Sequence, residues 1–442
     1  MIKPIQLLKN HQGFVKYFKN TSWLLSEKIF KAFTEVFVGI WIARYLGPEQ
    51  FGLFSYAQSF AALFLVLSTL GLDGIVIREL VKDESKADKL IGTAFVLKLI
   101  GAIAVFAILA VAVGFTSNDT YTNTLIFIIA SATIFQAFNV VDFYFQAKVL
   151  SKYVALTNTI TLFISSIVKI VLILNEAPLI AFAWVVLFDS VVLAVGLIYI
   201  YIKKNTTFSI QNLSFNKLTA IDLLRDSWPL ILAGIVTSIY MKIDQVMIKE
   251  MLSTEAVGQY AAAVKLSEAW YFIPVVVASS LFPAIVNANK QNEELYYSRL
   301  QKLYDLMTWT AITIAVAMTF LSGWVVDILY GSQYDQAGGV LMIHTWAGIF
   351  VFLGVVSGKW FLTENLQILA FWRTFYGMII NILLNIILIP EYGIQGAAVA
   401  TLVGQSFSAY FFDIFSKKTR AMFFAKTKAL LLTRCFIWCL KK

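Results

Sequence analysis

Long apolar runs separated by short polar segments fill most of the chain. A helix needs about 20 mostly apolar residues to cross a membrane. The pattern predicts twelve such helices, at residues 20–46, 50–72, 90–115, 122–147, 152–175, 177–202, 227–250, 256–286, 303–329, 336–362, 367–389 and 393–416. No connection between them is long enough for a separate soluble domain.

The polar turn between the first two runs recurs in the second half of the chain. At a constant offset of 206 residues, Leu46, Glu49, Gly52 and Phe54 correspond to Leu252, Glu255, Gly258 and Tyr260. The surrounding hydropathy repeats as well. We therefore expect two similar six-helix halves, residues 1–210 and 220–416, followed by a cytoplasmic or interfacial tail, residues 417–442. Since an even number of spans gives both halves the same orientation, they should superpose by rotation about the membrane normal.

The composition requires lipid around these helices. Hydrophobic residues make up 59% of the chain and charged residues 14%, against about 25% charged in a typical soluble domain. The only cysteines, Cys435 and Cys439, and the only histidines, His11 and His344, are too few for a disulfide framework, a zinc site or a histidine-based catalytic centre. We expect an all-α integral membrane protein with no metal and no cofactor.

The basic residues predict the topology. The formal net charge is +9, and 25 lysines and arginines lie in segments 1–19, 73–89, 148–152, 203–226, 287–303 and 417–442, whereas the loops 116–121, 175–176, 330–335 and 390–392 contain none. Cytoplasmic loops are enriched in lysine and arginine, which places both termini in the cytoplasm. Because the charges are scattered over loops rather than gathered in one patch, nucleic acid is not an expected partner.

Two of these basic segments are themselves amphipathic. Residues 73–89 alternate charges with apolar residues, and residues 417–442 carry apolar clusters between lysines. Both patterns predict short helices that lie on the inner membrane surface as passive anchors.

Charged residues inside the predicted spans are the main candidates for function. Apart from charges within two positions of a span end, the basic ones are Lys28, Lys31, Lys98, Lys169, Lys242, Lys265, Lys359 and Arg373, and the acidic ones are Glu27, Glu35, Asp142, Asp189, Asp244, Glu268 and Asp413. Each would cost about 2.5–3.5 kcal/mol at a helix centre facing lipid. Because a bundle does not tolerate so many such costs, we expect most of these side chains to face a water-filled central cavity.

Helical spacing gathers several of these charges on single faces. Glu27, Lys31 and Glu35 are four residues apart and form one stripe on the first span. Similar stripes are predicted in the fourth span, from Gln136, Asn139, Asp142 and Gln146, and in the eleventh, from Arg373, Gly377, Asn381 and Asn385.

An anion is the natural guest of a cavity that contains several ammonium groups, because lysine binds phosphate as a point charge without demanding one geometry. The predicted anion-binding residues are Lys28, Lys31, Lys98, Lys169, Lys242, Lys265 and Arg373. The predicted cavity or coupling acids are Glu27, Glu35, Asp142, Asp244 and Glu268.

Structural roles are the alternative for individual charges. Pairs such as Glu27 with Lys31 could be neutral bridges that hold helices together, and Asp189 could hydrogen-bond a neighbouring helix. Lys359 and Asp413, near span ends, could extend to the membrane interface.

Three prolines fall at informative places in the C-terminal half. Pro229 is expected to open the seventh span. Pro274 and Pro283 lie inside one long span, where proline predicts a kink and could provide a hinge.

Three motifs connect the chain to a known family. The segment Tyr45-Leu46-Gly47-Pro48-Glu49-Gln50-Phe51-Gly52-Leu53-Phe54 resembles polysaccharide transporters of the multidrug/oligosaccharidyl-lipid/polysaccharide exporter superfamily, in particular Wzx-type O-antigen flippases. Ile328-Leu329-Tyr330-Gly331 and Tyr392-Gly393-Ile394-Gln395-Gly396-Ala397-Ala398 agree with that resemblance, which covers about residues 20–416.

The resemblance implies a flippase that moves an undecaprenyl-diphosphate-linked oligosaccharide, an O-antigen or similar repeat unit, across the bacterial inner membrane by alternating access. Expected partners are this lipid-linked oligosaccharide, membrane lipid and the polysaccharide polymerase machinery. A proton or sodium gradient acting through Glu27, Glu35 or Asp142 is the hypothesis for its energy source, because the chain has no Gly-x-x-x-x-Gly-Lys-Ser/Thr nucleotide-binding loop.

Two other functions remain open. A multidrug or cation antiporter of the related extrusion type also has twelve spans in two halves, although eight bases mixed with seven acids inside the spans favour an anionic guest. A membrane polysaccharide polymerase or ligase would resemble chains with a large catalytic outside loop, which the short outside loops here do not provide. No nucleophile or metal constellation favours an enzyme either.

Overall fold

The computed structural model describes residues 3–204, 214–289 and 292–431, and within these ranges the chain forms helices and short connections without any β-strand. The first seven α-helices are α1 (Lys3–Thr69), α2 (Asp73–Lys82), α3 (Ala87–Val113), α4 (Thr120–Gln136), α5 (Val140–Ala147), α6 (Lys152–Leu174) and α7 (Leu179–Lys204). The next seven are α8 (Lys217–Met251), α9 (Thr254–Glu268), α10 (Phe272–Asn289), α11 (Glu293–Tyr330), α12 (Ala337–Thr363), α13 (Gln367–Ala409) and α14 (Arg420–Leu430).

Ten of the helical stretches that the structure describes are long and apolar enough to cross a membrane. Two of them, Ser22–Lys82 and Gln367–Ile414, are interrupted by non-helical backbone at Gly47 and Gly393. Each therefore supplies two apolar runs, which brings the number of runs to the twelve that hydropathy predicts. The prediction of an all-α, multi-pass membrane protein is confirmed.

Both interruptions depend on glycine. Gly47 has φ 71° and ψ 172°, and Gly393 has φ 60° and ψ −142°. A side chain at either position would be strained because L-residues rarely adopt positive φ. These glycines lie in the segments from which the turns and the family resemblance were predicted.

Two other predicted spans are broken more gently, by single turns of 3-10 helix. Ala137–Asn139 separates α4 from α5, and Ala269–Tyr271 separates α9 from α10. The second break has a covalent cause, because Pro274 cannot donate to the carbonyl group of Trp270 and its ring crowds that turn. The prediction that Pro229 opens a helix is wrong: α8 begins twelve residues earlier and contains Pro229 in its interior.

The chain folds into two compact units. The N-terminal unit comprises residues 1–42 and 57–238, and the C-terminal unit comprises residues 43–56 and 239–442. The predicted division into halves at 1–210 and 220–416, and their superposition, remain predictions.

The N-terminal unit has a core where α2, α3, α5 and the start of α8 meet. Leu72, Val76 and Ala94 are completely buried there. The predicted surface segment 73–89 does begin with a helix, α2, and that helix buries one apolar face against the protein. An ion pair between Arg78 and Asp226 joins it to α8.

The C-terminal unit has a larger core made by α10, α11, α12 and α14. Tyr304, Leu353 and Val356 are completely buried in it. Met422 and Ala429 of α14 belong to the same cluster, so the first part of the tail packs on protein and is not merely a membrane-surface anchor. Cys435 and Cys439 lie outside the described residues.

Candidate functional site

Asp244 is a buried carboxylate at the centre of a polar cluster in the C-terminal unit. It lies on α8 and is 5% exposed. Its Oδ1 accepts a hydrogen bond from Asn385 Nδ2 at 2.6 Å. Its Oδ2 accepts hydrogen bonds from Thr401 Oγ1 at 2.6 Å and from the Tyr260 hydroxyl at 2.9 Å. Three helices, α8, α9 and α13, therefore meet at one acid.

The glycine break in α13 is what brings two of these donors together. Asn385 and Thr401 are 16 residues apart, which would separate them by about 24 Å along a straight helix. Both contact the same carboxylate because the backbone turns at Gly393. The parts of α13 before and after Gly393, here called its two arms, pack closely against each other. A Cβ added to Gly396 would lie 2.2 Å from the carbonyl oxygen of Leu388.

The arm before the break repeats asparagine at helical spacing. Asn381 and Asn385 are four residues apart and both are completely buried. Asn385 Nδ2 is 3.3 Å from Asn381 Oδ1. In the described part of the chain, Asn385 Oδ1 has no hydrogen-bond partner, so the cluster presents an acceptor that is not satisfied by protein.

A small cavity of about 20 Å³ opens among these side chains, lined by Tyr240, Asp244, Tyr260, Glu268, His344 and Thr401. Such a volume holds about one water molecule. His344 is fixed by a 2.9 Å hydrogen bond between its Nδ1 and Ser267 Oγ. The site thus has room for one small ion or one proton carrier beside the carboxylate.

The donor set suits a monovalent cation. Carboxylate, amide and hydroxyl oxygens are ligands that hard cations prefer. Among the described residues, no group of three or more His, Cys, Asp or Glu side chains converges in a way that could hold a metal ion. The Asp244 carboxylate can neutralise one positive charge, which a sodium ion or a proton carries, and Glu268 is a second acid on the same cavity.

The predicted charged stripe of the first span lies on an open part of α1. Lys31 Nζ is 3.8 Å from Glu35 Oε1, and both side chains are 54% exposed. Lys28 is exposed and Glu27 is half-buried. Glu27 Oε1 lies 3.5 Å from Asn158 Nδ2 of α6.

Two predicted anion-binding lysines of the N-terminal unit are instead neutralised by acids. Lys98 is 5% exposed, 3.1 Å from Asp73 and 4.6 Å from the centre of the Phe143 ring. Lys169 is 3.1 Å from Asp189, so the alternative role predicted for that acid, a bond to a neighbouring helix, is observed. A paired lysine offers less charge to an anion than an unpaired one.

Asp142 is a half-buried acid at the end of the fourth span. Its Oδ2 accepts a 2.8 Å hydrogen bond from Gln146 Nε2, one turn along the predicted polar stripe. In the described part of the chain, its Oδ1 has no hydrogen-bond partner. This acid is therefore incompletely satisfied by protein.

The remaining predicted residues lie in the C-terminal unit. Lys242, Lys265 and Glu268 are half-buried on α8 and α9, and Glu268 lines the cavity beside Asp244. Arg373 Nη2 donates to the carbonyl oxygen of Gly354 at 3.1 Å, and its guanidinium lies 4.9 Å from the centre of the Phe361 ring.

The expectation that Asp413 extends to the interface is wrong. Asp413 is completely buried, and its Oδ2 is 2.6 Å from Nζ of Lys426, which is also completely buried. Lys426 additionally donates to the carbonyl oxygen of Ala409 at 2.6 Å. Hydropathy missed this pair because Lys426 belongs to the tail, which was expected to lie on the membrane surface.

Sequence reasoning also missed Tyr260 and Thr401 as members of the Asp244 cluster. A signal for the first was present, because Tyr260 is the aromatic residue of the repeated turn. No sequence pattern pointed to Thr401, since its role depends on the fold of α13.

A model of the family described as polysaccharide biosynthesis protein matches residues 17–289. The chain belongs to the polysaccharide biosynthesis protein family. The match covers more than half of the chain and includes the first repeated turn and the stripe on α1. The resemblance predicted from the turn motifs is therefore confirmed.

Sequence relatives of this polysaccharide biosynthesis protein are assigned as transporters and flippases. A protein of Shigella dysenteriae assigned as an O-antigen transporter is 21% identical over 81% of this chain and 89% of its own length. A Haloferax volcanii protein, Agl15, assigned as a low-salt glycan biosynthesis flippase, is 27% identical over 37% of this chain. That second match spans 34% of the Haloferax protein.

Solved structures with the same fold include both a flippase and a drug transporter. The lipid II flippase MurJ in an inward closed conformation has a TM-score of 0.71 at 17% identity, covering 95% of this chain and 93% of its own. An inward-facing multidrug resistance MATE transporter of the MOP superfamily also has a TM-score of 0.71, at 15% identity over 93% of this chain and 95% of its own. The polysaccharide biosynthesis protein thus has the MATE/MurJ transporter fold.

Proposed function

We propose that this protein is a flippase that moves an undecaprenyl-diphosphate-linked oligosaccharide across the bacterial inner membrane by alternating access. The family, the assignments of the two relatives and the fold support a transporter of polysaccharide biosynthesis rather than an enzyme. The diphosphate of such a lipid is an anionic guest suited to lysines inside the spans. Both termini are proposed to be cytoplasmic.

The observation that carries the proposal is the charged stripe on α1. Lys28 and Lys31 are exposed within an apolar span, and an ammonium group facing lipid there is costly. Their exposure therefore favours a water-filled surface on which a diphosphate could be neutralised. Lys242, Lys265 and Arg373 are proposed to take part from the C-terminal unit, whereas Lys98 and Lys169 are proposed as structural cations because acids already pair with them.

Asp244 is the proposed coupling site. A sodium ion or a proton bound there would neutralise a carboxylate whose hydrogen-bond donors are neutral groups. Binding would also replace the hydrogen bonds from Asn385 and Thr401, which lie on the two arms of α13. Because those arms are joined at Gly393, a change of occupancy at Asp244 changes the contacts between them. Glu27, Glu35, Asp142 and Glu268 are proposed as further cavity acids.

The proposal is tested by restoration of surface polysaccharide in a flippase-null strain. Lys31→Ala should reduce restoration because it removes an interaction with the diphosphate, and Lys31→Arg, which keeps the charge, should be milder. Membrane levels of each variant separate transport from folding, since the change also alters the pair with Glu35. Full restoration by Lys28→Ala, Lys31→Ala and the double variant at normal levels would show that these lysines are not the anion site.

The second candidate function is multidrug or cation extrusion, which the equal TM-score of the MATE transporter favours. The same null strain, expressing the wild-type protein, distinguishes the two functions when it is challenged with cationic drugs. A flippase leaves drug tolerance unchanged and restores polysaccharide, and an extrusion pump does the reverse.

A further inference from the structure

An open groove lies between α4 and α7 of the N-terminal unit, and none of its lining residues belongs to α1. Its volume, open to the surroundings on one side, is about 460 Å³, and it is lined by Thr120, Asn123, Thr124, Phe127, Ser131 and Trp184 together with one isoleucine. Ligand pockets have volumes of about 300–1,000 Å³. No charged side chain is among these lining residues, so the groove suits an uncharged guest.

The polar side of the groove follows one face of α4. Thr120, Asn123, Thr124 and Ser131 are polar and, together with Phe127, recur at intervals of three and four positions, which places them in one row along a helix. The row is about 16 Å long, at 1.5 Å for each of eleven steps. Such a row is unexpected in a helix that is apolar enough to cross a membrane, because hydrophobic side chains would be retained on a face that met only lipid.

Two hydroxyl groups of this row present acceptors rather than donors. Thr124 Oγ1 donates to the carbonyl oxygen of Thr120 at 2.8 Å, and Ser131 Oγ donates to that of Ile128 at 2.5 Å. The hydroxyl protons are thus used within the helix, and the hydroxyl lone pairs remain. The Oδ1 atom of Asn123 is buried and has no hydrogen-bond partner in the described part of the chain. Buried acceptors are normally satisfied, and the Asn123 side chain lines the groove, so a donor bound there would satisfy this oxygen once the side chain turned towards it.

The opposite side of the groove is aromatic. Trp184 lies on α7, is 53% exposed and faces the row from Asn123 to Ser131 across the groove. An exposed indole offers a flat apolar face and one polar N–H. A sugar ring has the complementary surfaces, because its C–H groups lie against a flat apolar face while its hydroxyls donate at the edge.

We propose that this groove is a binding subsite for an uncharged sugar residue of the transported oligosaccharide. The inference rests on the proposed flippase function. Thr120 belongs to the loop 116–121, which the topology prediction places outside the membrane, so the groove would hold the sugar portion on the outer side during release. The charged stripe on α1 would then neutralise the diphosphate, and the groove between α4 and α7 would recognise the sugar.

Binding to the purified full-length protein in lipid nanodiscs tests the inference with two probes. One is lipid-linked oligosaccharide extracted from the strain that expresses the protein, and the other is undecaprenyl phosphate, which carries no sugar. Asn123→Ala should weaken binding of the sugar-bearing probe by roughly 2- to 12-fold, the effect of losing one net hydrogen bond. Trp184→Ala should weaken it at least as much, and Trp184→Phe should retain part of the affinity.

The matched control is Trp324→Ala, which removes a similarly exposed tryptophan, 64% exposed, from the C-terminal unit. It should leave the affinity for both probes unchanged. None of the groove variants should alter the affinity for undecaprenyl phosphate. The affinity of a variant is compared with that of the wild type only when the variant is monodisperse and reconstitutes into nanodiscs as the wild type does.

Three results would overturn the inference. Unchanged affinity of Asn123→Ala and Trp184→Ala for the sugar-bearing probe would remove the sugar subsite and leave the flippase proposal intact. Equal weakening for both probes would make the groove a site for the lipid chain, with Trp184 as an interfacial anchor. If the wild type bound neither probe, the proposed function itself would fail, which the other two results do not imply.

Discussion

Gly52 and Gly258 lie against each other's helices in a reciprocal contact. A Cβ atom added to Gly52 would lie 1.8 Å from the carbonyl oxygen of Thr254, and one added to Gly258 would lie 1.9 Å from that of Pro48. Gly52 and Gly258 are 206 residues apart, and so are Pro48 and Thr254. The two copies of the repeated turn therefore contact each other through equivalent atoms, and only glycine permits the approach.

This contact predicts that neither glycine tolerates a methyl group. Gly52→Ala and Gly258→Ala should each push the two backbones apart and destabilise the described conformation by about 1–3 kcal/mol, as overpacking does. Thermal unfolding of the purified variants in detergent measures the loss, and restoration of surface polysaccharide measures its effect on transport.

Gly358→Ala is the control for both glycines. Gly358 is also helical, but a Cβ there would meet no atom within 4 Å, and alanine is the better helix former by about 1 kcal/mol. The control should therefore be neutral or stabilising. If Gly52→Ala and Gly258→Ala unfolded at the same temperature as the control, the close contact would not describe the stable state of the protein.

Asp244→Asn should abolish ion-coupled transport while leaving the protein folded, because asparagine has nearly the same shape but cannot neutralise a cation. If sodium is the coupling ion, the wild type should be stabilised by sodium chloride relative to choline chloride. At 100 times Kd the gain is about 2.7 kcal/mol, and the variant should lose it. Asp327→Asn, an exposed acid of α11, serves as the control.

If Asp244 binds a proton instead of sodium, the two measurements, stability in sodium and transport, should give a different result. Wild-type stability would then be insensitive to sodium, and transport would fall when the proton gradient is collapsed. Full transport by Asp244→Asn at normal membrane levels would contradict both forms of the coupling proposal.

Lys426→Met should be strongly destabilising, because it leaves the completely buried Asp413 without its cation. Breaking one side of a buried ion pair costs about 3–5 kcal/mol. The double variant with Asp413→Leu should recover much of the loss, since no charge then remains buried. Thermal unfolding of the two single variants and the double variant gives the coupling between the residues, and additive losses would contradict a direct interaction.

The docking of α14 should also depend on pH. Burial lowers the pKa of Lys426 from 10.5 to about 8, although the nearby Asp413 carboxylate acts in the opposite direction. Between these two values the undocked lysine binds more protons than the docked one, so the free energy of undocking rises with pH from about 8 to 10.5 and is flat below. Hydrogen exchange of the α14 amides measures this slope, which Lys426→Met should remove.

The distribution of basic residues predicts the topology. Reporters fused after residues 118 and 333 should lie outside, and reporters after residues 212 and 430 should lie in the cytoplasm. A cytoplasmic signal at residue 118 would break the twelve-span arrangement, because the loop 116–121 would then be on the wrong side.

The sequence by itself determined the helices, because membrane insertion depends on a local quantity, the apolarity of about 20 consecutive residues. It also located the glycine turns, since positive φ at Gly47 and Gly393 is a property of single residues. Where it failed locally, as at Pro229, the cause was a helix that extends beyond the apolar run into polar sequence.

Only the tertiary structure decided which charges meet. Hydropathy shows that Lys169, Asp189 and Asp413 are costly in lipid and gives no cost to Lys426 in the tail, and it does not show which helix faces each of them. The structure pairs the first two and the last two across different helices. It also assembles the Asp244 cluster, because the turn at Gly393 brings Asn385 and Thr401 to one carboxylate. Pairing across helices depends on packing, and packing is not encoded in the periodicity of any one segment.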